Sequence, residues 1–170
     1  KNLMDSSGAA SAVLDGKGNV IHINPAFQKI TGLTIKELKS TNWVTIFENE
    51  HRGTALMLYR DSVNGKHSGS FNQELLIRSK NGNEYFVLAT IRHIPELGIT
   101  LVSLVDITEK KKIERVVANQ KERYKKLFQQ SIDGIIIHAA EGRILNANAE
   151  AQKITGMSLQ ELKETNIRSI

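Results

Sequence analysis

Two short runs of apolar and polar positions near the start of the chain are β-rich, and turn residues separate them. They cover Ala10–Asp15 and Asn19–Asn24, and the connection between them, Gly16–Gly18, contains two glycines. Glycine lets the backbone turn within a few residues. The pattern therefore predicts a β-hairpin.

The segment after the hairpin changes to helical spacing. Pro25 suits the first turn of a short helix, with Asn24 as its N-cap and Gly32 as its stop. A second short helix opens at Thr34, because Glu37 stands three residues later and completes a capping box. Two short helices are therefore expected directly after the hairpin.

One longer helix and three further strands follow. Apolar residues recur at spacings of three and four over His51–Val63, which predicts the longest helix of this part of the chain. Three β-rich runs cover Phe71–Ser79, Glu84–Ile94 and Ile99–Ile107, and the turn signal Lys80–Asn83 joins the first two. Five strands interleaved with helices in this order indicate an α+β fold.

A long helix is expected from Thr108 to Gln130. The Thr108 hydroxyl can cap its start, and Glu109 favours the positive end of the helix dipole. We expect this helix to pair with the same helix of a second chain as a coiled coil with Gln120 at a polar core position, and packing on a sheet is the alternative. The stripe that needs a partner consists of Ile113, Val116, Val117, Gln120, Tyr124, Leu127 and Phe128.

The beginning of the chain recurs later at a constant offset, without gaps. The sequence QKITG occurs at Gln28–Gly32 and again at Gln152–Gly156, and ELK occurs at Glu37–Lys39 and again at Glu161–Lys163. Two copies of one structural unit are therefore present. The second copy lacks counterparts of the last three strands, so we expect its amides to exchange faster than those of residues 9–107.

These elements and their motifs, in this order, resemble the PAS domain family, as found in tandem in bacterial sensor histidine kinases and in PAS-containing cyclic-dinucleotide enzymes. The resemblance implies a five-stranded antiparallel sheet with helices on one face, a cavity between them for a small ligand, and signalling through flanking helices. The motifs that carry it are DGKGNV at Asp15–Val20, NPAF at Asn24–Phe27, ITG at Ile30–Gly32, SKNGN at Ser79–Asn83 and DIT at Asp106–Thr108.

The resemblance also implies how the chain is divided into domains. We expect a PAS domain at 1–107, a connecting signalling helix at 108–130, and the N-terminal part of a second PAS domain at 131–170. Both ends are expected to lie within a longer protein whose output domain, a histidine kinase or a cyclic-dinucleotide cyclase or phosphodiesterase, stands after Ile170. Asp106, Ile107 and Thr108 would then transfer the signal from the last strand to the helix.

Charge adds little to this interpretation. The net charge of +5 resides in the segment from Glu109 to Lys126, where eight basic residues face three acidic ones. Such a run usually forms a solvated helix face, and Tyr124 is its only aromatic residue, so a base-stacking surface is not indicated. No apolar run approaches the length of a membrane span. No nucleic-acid partner and no membrane contact are expected, and cytoplasm is the default location.

Candidate catalytic chemistry is missing from the sequence. There is no cysteine, and the five histidines are scattered without the spacing of a helical zinc site. The glycines form neither a P-loop nor a dinucleotide fingerprint. We therefore expect neither a catalytic residue nor a metal site in this chain, and the function is expected to be sensing or relay.

Cofactors of PAS-type sensors can be compared with this sequence. The covalent flavin of LOV photoreceptors requires a cysteine, which the chain lacks. Haem-binding relatives carry a histidine one turn after an arginine on the long helix, and counting from Arg52 that position is Ala55, so haem is not expected. A non-covalent flavin, another small organic ligand, and no ligand at all remain open. In the last case the chain would be a pure dimerisation or protein-interaction module.

A candidate set of ligand-binding residues combines aromatic, polar and apolar side chains of the helices and strands. Trp43 also has a plainer interpretation as a plug of the core. The set consists of Asn42, Trp43, Leu56, Tyr59, Phe71, Phe86, Arg92, His93 and Ser103.

Overall fold

The five predicted β-rich runs form one antiparallel sheet. A computed structural model describes residues 8–65 and 71–170, and its strands are β1 (Ala10–Leu14), β2 (Val20–Ile23), β3 (Phe71–Arg78), β4 (Glu84–Ile94) and β5 (Ile99–Asp106). Their order in the sheet is β2-β1-β5-β4-β3. Within this sheet the first strand, β1, and the last strand, β5, are therefore neighbours. This pairing brings the end of β5 next to the beginning of the domain.

Helices cover one face of this sheet. They are α1 (Pro25–Thr31), α2 (Ile35–Lys39), a short 3-10 helix at Trp43–Ile46 and α3 (Asn49–Val63), and a further 3-10 turn occupies Pro95–Leu97. The prediction for α3 began at His51, two residues late, because Glu48 precedes the helix without a side-chain capping bond that would mark its start. The five-stranded sheet with its helices confirms the predicted α+β PAS-like fold.

The core lies between the helices and the inner face of the sheet. In β4 the residues Val87, Ala89 and Ile91 are buried, and their neighbours in the sequence face the other side. Phe27 of α1 and Ala55 of α3 pack in the same cluster. This alternation is the expected consequence of side chains pointing to opposite faces of a strand.

Asn24 holds the hairpin and α1 together. Its side chain is 1% exposed, and its Oδ1 accepts hydrogen bonds from the backbone N–H groups of Ser11 and Phe27, both at 2.9 Å. Its Nδ2 donates to the backbone oxygen of Ala9. The predicted N-cap is confirmed, and it has a second role, because the same side chain also binds the backbone around β1.

The capping box predicted for α2 is present and has an added partner. Thr34 and Glu37 exchange hydrogen bonds, and the Glu37 carboxylate also binds the Lys80 ammonium of the β3–β4 turn. The hydrogen bond from Lys80, followed by those from the Thr34 backbone and hydroxyl, lowers the pKa of Glu37 from 4.5 to about 2. This carboxylate therefore links a helix to the sheet while remaining ionised in moderate acid.

We expect the stability of the first unit to fall in acid partly through Glu37. Because the pKa of Glu37 is depressed in the folded state, its contribution is present above pH 4.5 and is lost as the pH falls towards about 2. In urea titrations, Glu37→Gln should be less stable than the parent at neutral pH, and the difference should shrink over that window. Glu96→Gln, which alters an exposed residue, is the control. A difference independent of pH would contradict this assignment.

The chain divides into two compact units, Lys1–Lys112 and Ile113–Ile170. The second contains the hairpin β6 (Ile136–His138) and β7 (Ile144–Ala147), followed by the helices α5 (Ala149–Thr155) and α6 (Leu159–Lys163) and a 3-10 turn at its end. Its small core is formed by Ile144, Ala147, Ala151 and Leu162.

The second unit repeats the local architecture of the first. Asn148 stands at the position of Asn24, and its Oδ1 accepts from the backbone N–H groups of Ile135 and Ala151. Its Nδ2 donates to the backbone oxygen of Asp133. The repeat read from the sequence therefore corresponds to a repeat of structure, down to the same three hydrogen bonds.

Candidate ligand cleft and signal-transfer joint

Aromatic side chains fill part of the space between the sheet and the helices in the first unit. Trp43 is 6% exposed and packs edge-on against Phe47 and Tyr59, with ring centroids 6.1 Å and 5.7 Å away. The interpretation of Trp43 as a core plug is therefore correct. The opening that a ligand could enter lies beside this plug.

This opening is a cleft of about 340 Å³ between the β1–β2 turn, the segment around Asn42, and α3. It brings together four residues of the predicted ligand set, namely Asn42, Trp43, Leu56 and Tyr59. Further lining comes from the turn residues Lys17, Gly18 and Asn19 and from Lys39, Ser40 and Thr41. These additional residues have no signal in the sequence, because turns and helix ends carry no hydrophobic pattern.

Tyr59 and Asp15, near each other at the cleft, both have shifted pKa values. Burial, and after it the negative charge of Asp15, raise the pKa of Tyr59, so the phenol stays neutral. The pKa of Asp15 is lowered by hydrogen bonds from Asn19, so the carboxylate stays ionised and occupied in the turn. With Lys17 and Lys39 at its rim, the cleft offers hydrogen-bonding groups and positive charge.

Other members of the predicted set lie elsewhere. Phe86, Arg92 and Ser103 occupy strand positions that alternate with the buried ones, so they face away from the helices. Their assignment to a cavity between sheet and helices is therefore corrected. The sequence could not show which strand face each occupies. For Phe71, the structure describes the strand but not the side chain.

His93 lies near the C-terminal end of β4, where it makes polar contacts outside the cleft. Its Nδ1 is 2.9 Å from the Thr100 hydroxyl, and its backbone N–H donates to the Ser62 hydroxyl at 2.8 Å. Ser62 belongs to α3 and Thr100 to β5. This residue therefore ties the end of α3 to the sheet.

The three predicted signal-transfer residues form a compact joint between β5 and the helix α4 (Thr108–Gln130). The Ile107 N–H donates to the Phe86 backbone oxygen at 2.8 Å, and the Thr108 N–H donates to Oδ1 of Asp106 at 2.9 Å. The Thr108 hydroxyl accepts from the Phe86 N–H at 3.0 Å. The first residues of α4 are thus bound to the neighbouring strand β4.

The predicted capping role of Thr108 is wrong. The helix already includes Thr108, and the Lys111 N–H bonds to the backbone oxygen of Ile107. The threonine hydroxyl is therefore directed to β4, and the Asp106 carboxylate satisfies the free N–H of Thr108 instead. A further contact between the side chains of Lys111 and Glu74 attaches the first turn to β3.

The apolar stripe of α4 is largely exposed. Val116 is 54% exposed and Leu127 is 65% exposed, whereas Phe128 is buried and stacks on Tyr124. Ile113 and Val117 are exposed as well, and so is Gln120, one turn further along the helix. The stripe therefore leaves apolar surface available for a partner.

Among residues 8–65 and 71–170, no group of histidine and carboxylate side chains is arranged to hold a metal ion. None of the helices in the described part of the chain combines the length and apolar character that crossing a membrane requires.

Comparison with known proteins identifies the family. The model of the PAS domain matches residues 8–109, and a model of the PAS fold matches residues 122–169. The chain belongs to the PAS domain family. Its PAS units are similar to part of sporulation kinase E of Bacillus subtilis (strain 168), with 27% identity over 154 residues. That match covers 91% of this chain and 20% of the kinase, so the chain spans about a fifth of this relative.

Solved structures agree with the PAS fold. A domain of a sensory box sensor histidine kinase/response regulator from Geobacter sulfurreducens has a TM-score of 0.53 at 21% identity, over 61% of this chain and 88% of that chain. A sensory box histidine kinase/response regulator from Burkholderia thailandensis has a TM-score of 0.54 at 16% identity, over 71% and 92%. The family match and the similarity to the kinase support a sensory signalling module.

Proposed function

We propose that the first PAS unit senses a small ligand in its cleft and that α4 relays the resulting change to an output domain, a histidine kinase, elsewhere in the longer protein. The similarity to sporulation kinase E supports the kinase output. In this proposal the chain itself is non-catalytic and cytoplasmic. It binds no haem, because Ala55 at the ligand position is buried and has no metal-binding group.

The observation that carries this proposal is the joint at Asp106–Thr108. The sheet borders the ligand cleft through the β1–β2 turn and Val20 of β2, and its strand β5 continues into α4 with only Ile107 between them. The Thr108 N–H donates to Asp106, the Ile107 N–H donates to the Phe86 backbone oxygen, and the Phe86 N–H donates to the Thr108 hydroxyl, and these bonds fix the start of the helix on that sheet. A shift of β5 would therefore change the position of α4, and a helix transmits such a change along its length.

The exposed stripe of α4 supports pairing of two chains through this helix. Paired helices would convert a rotation at the joint into a change of register at the next domain, with Gln120 as the polar position in the seam. The same stripe also supports the second candidate function, a dimerisation module without a ligand. The two functions differ in whether the cleft binds a small molecule.

The joint provides a test of the relay. In the full-length protein, Thr108→Val keeps the side-chain shape but removes the acceptor of the Phe86 N–H. We expect autophosphorylation to become insensitive to the signal, with a changed basal rate. Thr90→Val is the matched control, because it removes a hydroxyl bonded only to the side chain of Asn72 on the same sheet. Normal regulation in Thr108→Val would contradict the relay through this joint.

A further inference from the structure

The two copies of the repeat differ at the position of the cleft. In the second unit, the Ile167 N–H donates to the backbone oxygen of Gly142 at 2.9 Å, and Nδ2 of Asn166 donates to the backbone oxygen of Glu141 at 3.1 Å. Arg143 and Asn166 form a bridge beside them. The hairpin turn and the segment after α6 therefore close on each other directly.

In the first unit the same two edges stand apart. The counterparts of the closing residues are Lys17 and Gly18 in the turn and Asn42 and Trp43 after α2. In the described part of this unit no hydrogen bond joins these two pairs, and all four residues line the cleft. The cleft thus lies where the second unit has its closing hydrogen bonds.

Tyr59 of α3 lies against the β1–β2 turn of the first unit. A Cβ atom placed on Gly18 would lie 3.2 Å from the Tyr59 hydroxyl, whereas one placed on Gly142 would lie 2.5 Å from Oδ1 of Asn166. The tyrosine thus occupies the place against the turn that the asparagine takes in the second unit. The Asn42 Oδ1 accepts from the Val44 N–H at 3.2 Å, and among the described residues no hydrogen bond joins Asn42 to the turn.

The open edges have complementary chemistry. The turn has a positive-φ glycine in both copies, at +84° for Gly18 and +91° for Gly142, so its carbonyl groups present the same acceptors. The opposite edge presents N–H donors from Asn42 and Trp43. Charge differs between the copies, because Lys17 stands where the second unit has Glu141. Lys39 also borders the cleft.

We propose that the cleft of the first unit binds a free α-amino acid, which bridges the edges that bind each other in the second unit. The ammonium group donates to the carbonyl groups of Lys17 and Gly18. The carboxylate accepts from the Asn42 amide and the Trp43 backbone N–H and pairs with the Lys39 ammonium. A flat aromatic ligand is disfavoured, because the Trp43 ring is buried in the core and offers no face for stacking.

This inference rests on the proposed sensory function and gives its ligand a chemical class. The test is an NMR titration of the isotope-labelled chain with each proteinogenic L-amino acid, observing the backbone amide of Trp43. Acetate and methylamine serve as probes that each lack one of the two charged groups. We expect saturable shifts at Trp43 with one or a few amino acids and none with either half-probe.

Two pairs of variants test whether an amino acid bridges the two edges of the cleft. Asn42→Asp keeps the acceptor for the Val44 N–H but replaces the amide donor by a negative charge, and should weaken binding by about tenfold or more. Asn166→Asp, the same change in the second unit, should leave the affinity unchanged. Lys39→Gln should weaken binding severalfold, with Lys36→Gln on the same helix as its control.

Two results would overturn the inference: no amino acid shifts the Trp43 amide at millimolar concentration, or Asn42→Asp and Asn166→Asp behave alike. The titration reports on the cleft alone. A failure here leaves the relay through Asp106–Thr108 standing, whereas normal regulation in Thr108→Val refutes the relay even when an amino acid binds.

Discussion

Replacing Asn24 by alanine is expected to lower the free energy of unfolding of the first unit by roughly 2–4 kcal/mol, the largest single-residue effect that we predict. The substitution removes the acceptor of the Ser11 and Phe27 N–H groups and the amide that donates to the Ala9 backbone oxygen. Asn24 is fully enclosed, so water cannot easily replace it. A lost hydrogen bond inside a protein costs the desolvation of each group that remains unpaired.

Trp43 makes this effect measurable in one unit alone. It is the only tryptophan of the chain and lies in the first core, so its fluorescence during urea unfolding reports on the first unit. Gln28→Ala, an exposed change on the same helix, should alter stability by no more than about 0.5 kcal/mol. Asn24→Asp should be intermediate, since it keeps both acceptor bonds and loses the donor. Equal stability of Asn24→Ala and Gln28→Ala would show that the Asn24 side chain does not hold the hairpin and α1 together.

The second large effect is expected in the self-association of α4. Val116→Lys combined with Leu127→Lys places two charges in the exposed apolar stripe. A lysine in the seam of a coiled coil loses its hydration without gaining a partner. The dimer dissociation constant should therefore rise by at least about a hundredfold. The first unit should remain folded, because neither residue belongs to its core.

Sedimentation velocity over a range of concentrations measures this change. The matched control, Ala118→Lys combined with Gln130→Lys, adds the same charge outside the stripe and should dimerise like the parent. If the stripe variant remains a dimer, or if the parent is a monomer at high concentration, the coiled-coil pairing is wrong. Packing of the stripe on a sheet would then be preferred.

Local signals in the sequence predicted the elements well. The capping box of Thr34, the N-cap at Asn24 and the stop at Gly32 depend on residues a few positions apart, and all three are present in the structure. The repeat gave the same elements a second time. These features are determined by backbone hydrogen bonds between near neighbours, which a single sequence displays.

Features that depend on distant neighbours were harder to predict. The period of two in β4 shows that Phe86 and Val87 face opposite sides, but not which side carries the helices. The hydroxyl of Thr108 has a cap-forming position in the sequence, and its partner Phe86 lies twenty-two residues away. The cleft arises because Tyr59 of α3 reaches the β1–β2 turn, and no local pattern encodes that contact.

The relay claim is tested most directly by the distance between the first unit and α4. Because the chain has no cysteine, spin labels can be attached at Asn83→Cys and Ala118→Cys without further changes. Pulsed electron paramagnetic resonance then gives the distance distribution between the labels. We predict that Thr108→Val broadens or shifts this distribution, while Thr90→Val leaves it as in the parent. Identical distributions in all three proteins would contradict the mechanical coupling of the sheet to α4.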